Sequence, residues 1–264
     1  MARRRLAASL TLLLLAVAGA FGASGSAAAA PAAPARLDVG FGAGARLGAP
    51  AAIEATLRID PRALPAPLTR LTLQYPASLG ITTSGLGVAG CRRPAADFRL
   101  VSIEGIGLAG CSPNAVMALG DARAAVRVGT YRFPATATVT LLSGLYGGDG
   151  LGLVAFVDGI NPLGYKLAYR GLAGAAPAPF GGQLTMTLPM IPDLPEDASF
   201  ALTRLRLSFG DPRIVYSDHG RRYRPGGIEL PETCPRGGFR FRAQLAFADG
   251  RGARIAARAR CPRR

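Results

Sequence analysis

The sequence predicts an all-β protein, a mostly antiparallel β-sandwich built either as one domain or as two packed β lobes. Three observations predict it. Short segments alternate apolar and polar residues with a period of two, the mark of a strand that buries one face. Turn-forming residues punctuate those segments at short intervals. Helix-period stretches are scarce, and 35 Gly and 21 Pro would break most of them.

The first element is a targeting segment. Ala2-Arg3-Arg4-Arg5 supplies a basic start, Leu6 to Ala20 an apolar run, and Ser26 to Ala30 a small-residue cleavage zone. Residues 1–29 therefore read as a signal peptide. The apolar run is about 15 residues long, short of the ~20 that a spanning helix needs. No cysteine follows it to carry a lipid anchor. The expected location is secreted or extracytoplasmic, associated with the cell envelope. Residues 30–36 form an Ala/Pro lead-in. The remainder is long enough to bury a full core, divided as an N-terminal β lobe over 37–130 and a C-terminal β lobe over 131–264, or undivided.

Strands are expected at Ile53–Ile59, Arg70–Tyr75, Ala122–Val128, Ala135–Leu142, Leu151–Val157, Tyr165–Tyr169, Gln183–Leu188, Phe200–Phe209 and Arg213–Tyr216. Asp60-Pro61, Asp158-Gly159, Asn161-Pro162, Gly181-Gly182 and Gly210-Asp211-Pro212 are the turn signals between them. Leu142 to Asp149 reads as a loop between halves.

The C-terminal stretch is the most informative. Phe239, Phe241, Ala243, Leu245 and Phe247 alternate with Arg240, Arg242, Gln244 and Ala246, and Ala253, Ile255, Ala257 and Ala259 alternate with Arg254 and Arg258. A two-residue turn at Asp249-Gly250 would set Phe241 against Arg258 and mix apolar with charged residues on one face. A three-residue loop, Ala248-Asp249-Gly250, aligns odd with odd and places Gly250 at the left-handed position such loops need. The hairpin then has one greasy face and one Arg-rich face.

Four cysteines in an exported chain imply two disulfides. Cys91–Cys111 and Cys234–Cys261 is the expected pairing, because each bridge then closes a compact local segment. A zinc site would need close-spaced ligand pairs such as C-x₂-C, which are absent. Gly85-Leu-Gly-Val-Ala-Gly-Cys91 and Gly105-Ile-Gly-Leu-Ala-Gly-Cys111 repeat one another and contain G-x-G-x-x-G. They run into Cys91-Arg-Arg-Pro94 and Cys111-Ser-Pro113, which cannot open the helix a dinucleotide turn requires.

No catalytic constellation stands out. The one histidine, His219, lies in Ser217-Asp218-His219-Gly220 on a turn, and no G-x-S-x-G elbow exists in the mature chain. Asp193, Glu196 and Asp197 share a Pro-rich loop whose spacing is not that of a calcium loop. No cofactor and no catalytic or metal residue is therefore assigned.

The formal charge is +15, and removal of the three signal-segment arginines leaves +12. Lys166 is the only lysine, and such Arg usage is also what a GC-rich genome produces. The charge is concentrated after Arg221, where Arg240, Arg242, Arg254, Arg258 and Arg260 are the candidate anion-binding residues. Like charges opposed on one hairpin face favour an anionic partner. Anionic cell-wall polymer or lipid headgroups suit an exported protein better than nucleic acid does.

The block Arg224-Pro-Gly-Gly-Ile-Glu-Leu-Pro-Glu-Thr-Cys-Pro-Arg-Gly-Gly-Phe-Arg-Phe241, with Leu73-Gln-Tyr-Pro-Ala-Ser-Leu-Gly-Ile-Thr-Thr-Ser-Gly-Leu-Gly87, resembles a group of uncharacterised secreted β-rich proteins of high-GC actinobacteria. That group has no established activity, so the resemblance implies export and the cysteine framework and transfers no functional residue. The expectation is a non-enzymatic β-sandwich protein that binds or scaffolds at the cell envelope, through a basic Arg face. A secreted hydrolase with a carboxylate-based site and a carrier of an apolar ligand are the alternatives.

Overall fold

The computed structural model describes residues 34–81, 84–91, 111–147, 150–161, 166–188 and 198–262. Its strands are β1 (Ala35–Phe41), β2 (Pro50–Ala51), β3 (Ile53–Ile59), β4 (Leu68–Tyr75), β5 (Val116–Val128), β6 (Tyr131–Gly147), β7 (Gly150–Asn161), β8 (Lys166–Ala175), β9 (Gly182–Thr187) and β10 (Ala198–Phe209). They continue as β11 (Tyr216–Asp218), β12 (Arg221–Tyr223), β13 (Ile228–Glu229), β14 (Phe239–Phe247) and β15 (Gly252–Ala259).

Eleven strands form one sheet in the order β1-β3-β10-β5-β6-β7-β8-β9-β4-β14-β15. Every ladder in it is antiparallel. The sheet curls until its edge strands β1 and β15 lie side by side, with Cα atoms within 8 Å of each other. The product is a near-closed, sandwich-like barrel. It leaves little free edge for pairing with another chain.

Register keeps one apolar row continuous around the wall. Val39 faces Ala55, which faces Leu207, which faces Gly120, which faces Val139, which faces Val157. On the other side Leu184 faces Leu73, and Leu73 faces Ala243 and so Ile255. The alternating pattern thus puts apolar side chains inside and Arg, Thr, Gln, Asp and Glu outside. A membrane-spanning barrel has the reverse arrangement.

One end of the barrel is plugged. The β2–β13 ribbon brings Ile228 and Leu230 into a cluster with Leu79, Ile81, Leu86, Met117 and Phe209, all buried. Phe41 and Phe239 meet edge to face at 5.0 Å, a favoured aromatic geometry. On the outside, Ile214 and Tyr216 cover Val116, Leu142 and Val154 in a separate cluster with Cys91.

The hairpin β14–β15 has the three-residue loop: Phe241 faces Ala257, Phe247 N–H donates to Arg251 O, and Gly250 has φ +80°. Both expected disulfides are present, Cys91–Cys111 and Cys234–Cys261. Ile53–Ile59 is a strand with the bounds expected.

Other expectations are corrected. Ala35 and Arg36, assigned to the lead-in, already belong to β1, where Leu37, Val39 and Phe41 pair with Leu57, Ala55 and Ile53. Leu142 to Gly147 is no inter-lobe loop but the end of β6, with Gly147 facing Gly150. Glycine makes that possible, because a Cβ on Gly144 would come within 3.0 Å of the Gly152 backbone. Asp158 and Gly159 lie inside β7 and not at a turn. Arg213 to Val215 form no strand: Pro212 and the Ile214 N–H to Asp211 O hydrogen bond hold a turn that only Tyr216 leaves. No lobe boundary falls at 130, since Val128 and Tyr131 pair as one hairpin within the single sheet. The signal segment, the second glycine repeat and the loop carrying Asp193, Glu196 and Asp197 lie outside the described residues.

Candidate functional site: an apolar cavity and a carboxylate-free wall

The plug fills only part of the barrel. Toward the other end a cavity of about 160 Å³ remains, lined by 22 residues from β4 through β10. Leu73, Leu141, Leu153, Leu184, Leu205 and Phe200 surround it, and only Tyr169 and Ser199 contribute side-chain oxygen. Among the described residues no Asp, Glu, His or Arg lines it. It reaches the barrel end at Pro67, Leu188 and Ala198. Such a space can hold hydrocarbon, and its described lining offers neither a nucleophile with a base nor paired carboxylates. Its volume is close to the ~150 Å³ of an engineered dry cavity that takes up benzene.

The space is maintained by its surroundings. At Gly171, an added Cβ would approach Met186 Sδ to 2.2 Å, so glycine there lets the Met186 side chain lie along the lining. Leu141 and Leu153 are nearly fully buried and belong to the main core cluster that borders the cavity. At roughly 24 cal/mol per Å³, an empty cavity of this size costs on the order of 4 kcal/mol.

The outer surface is electrostatically divided. β8, β9, β4, β14 and β15 are contiguous in the sheet and contain no Asp or Glu. The strands on the other side carry Asp38, Glu54, Asp121 and Asp158. There Arg36 and Arg58 both pair with Asp38, and Arg206 reaches Glu54 at 2.9 Å.

The five candidate arginines all lie on the carboxylate-free side. Arg240 faces Arg258 directly, Arg242 faces Ala256, and Arg254 faces Gln244. Arg242 also sits over the Phe180 ring at 4.8 Å, a cation–π distance. Arg258 and Arg260 line a groove of about 680 Å³ along the β1–β15 seam, together with Arg46 and Cys261. Strand order adds Arg70 on β4 and Lys166 and Arg170 on β8. Between these cations, Gln244 donates to Gln74 at 3.1 Å, Gln74 to Gln183 at 3.4 Å, and the Thr72 and Thr185 hydroxyls meet at 3.2 Å.

His219 is a turn residue. It and Gly220 both have positive φ between β11 and β12, the signature of a two-residue hairpin turn. Its Nδ1 lies 2.8 Å from Asp218 Oδ1 while the imidazole is 95% exposed. Asp211, by contrast, is buried at the β10–β11 turn and accepts two guanidinium hydrogen bonds from Arg213 at 2.9 Å. Those bonds hold its pKa below the ordinary carboxylate value. The pair fastens a turn, and neither residue lines the cavity.

A second buried polar node lies at Tyr216. Its hydroxyl donates to Val116 O and accepts from Gly87 N–H at 2.7 Å, and Ser143 Oγ donates to Gly87 O at 2.7 Å. Burial pushes the Tyr216 phenol up, so it stays protonated and able to donate at neutral pH. Gly87 has φ +67°, and a Cβ there would approach Ser143 to 2.6 Å. The first glycine repeat is thus docked by hydrogen bonds to its backbone and forms no phosphate cradle.

Neither the cavity nor the full extent of the wall has a local motif. The lining residues span 67 to 209 in the chain, and each looks like an ordinary core position. No family model, no curated protein and no solved structure matches this chain.

Proposed function

We propose that this protein is a non-enzymatic carrier that holds a small apolar ligand inside its barrel. The observation that carries this reading is the cavity of about 160 Å³ with a hydrocarbon lining. A ligand that fills it recovers contacts that an empty space forfeits, and ~4 kcal/mol of recovered packing corresponds to roughly a thousandfold in affinity. The carrier reading is preferred over a carboxylate hydrolase because the described lining is hydrocarbon, with no carboxylate among the described residues.

Export and envelope association belong to the same proposal. The two disulfides support folding outside a reducing cytosol. They fit the expected signal peptide and the resemblance to secreted actinobacterial proteins. The cargo would then be met at the cell envelope.

The test is thermal unfolding in buffer saturated with benzene, hexane or octane. Binding to the native state raises the midpoint with ligand concentration. Ala155→Leu, which projects a larger side chain into the cavity, should abolish that rise while leaving the fold intact. No shift with any of the three hydrocarbons, or an undiminished shift in Ala155→Leu, rejects the reading.

A further inference from the structure

We infer that the carboxylate-free wall, β8-β9-β4-β14-β15, docks the barrel on an anionic phospholipid bilayer. The choice of a bilayer over other anionic surfaces rests on the apolar-cargo reading, since apolar cargo is obtained from and delivered to a lipid phase. The wall itself does not depend on that reading.

Five neighbouring strands without an acidic residue span roughly 19 Å at ~4.8 Å per strand. Their cations all point outward, because their inward neighbours complete the apolar row. Among the described residues, Arg70, Arg240, Arg242, Arg254 and Arg258 have no carboxylate partner. On the acid-bearing strands Arg36, Arg58 and Arg206 are paired, while Arg123, Arg127, Arg132 and Arg204 have no carboxylate partner among the described residues. The asymmetry is therefore in the carboxylates: none on the five strands of the wall, against Asp38, Glu54, Asp121 and Asp158 on the other strands.

The chemistry of the wall suits phosphate diesters. Guanidinium groups donate in planar forks that match two phosphate oxygens. The side chains of Thr72, Gln183, Thr185 and Gln244 between them are uncharged and half-buried, and can meet glycerol and ester oxygens without repelling the headgroups, while Gln74 is buried beneath them. The seam groove adds Arg46, Arg258 and Arg260 around a concave space at the edge of the wall.

The experiment is co-sedimentation of the full protein with vesicles of equal parts phosphatidylglycerol and phosphatidylcholine, against pure phosphatidylcholine vesicles. Binding should require phosphatidylglycerol and should fall steeply between about 50 mM and about 500 mM NaCl, as the Debye length shortens. Each basic side chain at an anionic surface strengthens binding roughly fivefold, so R240Q/R242Q/R258Q should weaken it on the order of a hundredfold. The charge-matched control R123Q/R127Q/R132Q, on the acid-bearing side, should stay within a few-fold of wild type. Single Arg→Gln variants, each expected to weaken binding about fivefold, keep the result readable should the triple variant fold poorly.

Equal weakening by both triple variants would reduce the effect to net charge and overturn the docking wall. Equal binding to phosphatidylcholine vesicles would overturn it as well. Retention on soluble polyphosphate without vesicle sedimentation would replace the bilayer by an anionic polymer. Ala155→Leu should bind vesicles as wild type does, so loss of cargo binding and loss of docking are read separately.

Discussion

Arg240 and Arg258 face each other directly across the β14–β15 hairpin, with no carboxylate on either strand. The position is tolerated because both side chains reach solvent, and because Phe239 and Ala259 anchor the same end of the hairpin from within. Directly opposed like charges nevertheless cost stability.

Arg258→Glu should therefore stabilise the protein by roughly 0.2–1 kcal/mol at low salt, by turning a repulsive cross-strand pair into an attractive one. Urea denaturation checks it. The gain should shrink at high salt, since both groups are exposed and screened. A destabilised variant would mean that Arg258 has a favourable native partner after all.

Tyr216→Phe should cost about 1–3 kcal/mol, because Gly87 N–H and Val116 C=O lose a shared partner in a buried place. Hydrogen exchange at the Gly87 amide should speed up more than at amides of the β14–β15 hairpin. Ser143→Ala, which strips Gly87 O of its donor, should loosen the same segment. Uniform acceleration over the whole barrel would instead mark a global loss of stability.

Asp211 makes the stability pH-dependent in one direction. Its folded-state pKa lies below the ordinary value of 3.8, chiefly through the Arg213 hydrogen bonds. Its contribution is full above the unfolded-state pKa and disappears as pH falls from there through the depressed folded-state value. Asp211→Asn should therefore be less stable than wild type at neutral pH, and the difference should close as the solution is acidified. Parallel acid titration of both proteins, followed by circular dichroism, decides it.

Removing Cys234–Cys261 by a double Ala substitution should destabilise the fold by about 3 kcal/mol in the chain-entropy view of a loop this long. The loss should show first at the seam, because Cys261 lines the groove between β15 and the residues after β1. Hydrogen exchange in β1 and β15, compared with β6 and β7, checks the location. Equal protection loss in the central strands would contradict it.

Much of this fold was legible locally. Period-two alternation named most strands, and side-chain parity alone chose the three-residue loop, because a two-residue loop would have put Phe241 opposite Arg258. Spacing paired the cysteines correctly, since short loops close most readily. β1 was missed although Leu37, Val39 and Phe41 alternate with Asp38 and Gly40, because the Ala/Pro run before it obscured where the strand begins. The end of β6 was missed because its glycines resemble a loop, while their backbones pair with β7 at close range.

What the tertiary structure decided is which strands are neighbours. β4 lies between β9 and β14 although more than 100 residues separate Thr72 from Thr185 and Gln74 from Gln244, and nothing local specifies such a pairing. That order places Arg70 and Arg170 on the same wall as the C-terminal arginines and leaves Asp38, Glu54, Asp121 and Asp158 on the other strands. Curling until β1 meets β15 then turns an apolar sheet face into an interior, and side chains from seven strands leave a space there. A single strand records only that one of its faces is apolar; whether that face meets a packed core or a cavity depends on the shape of the whole closed sheet.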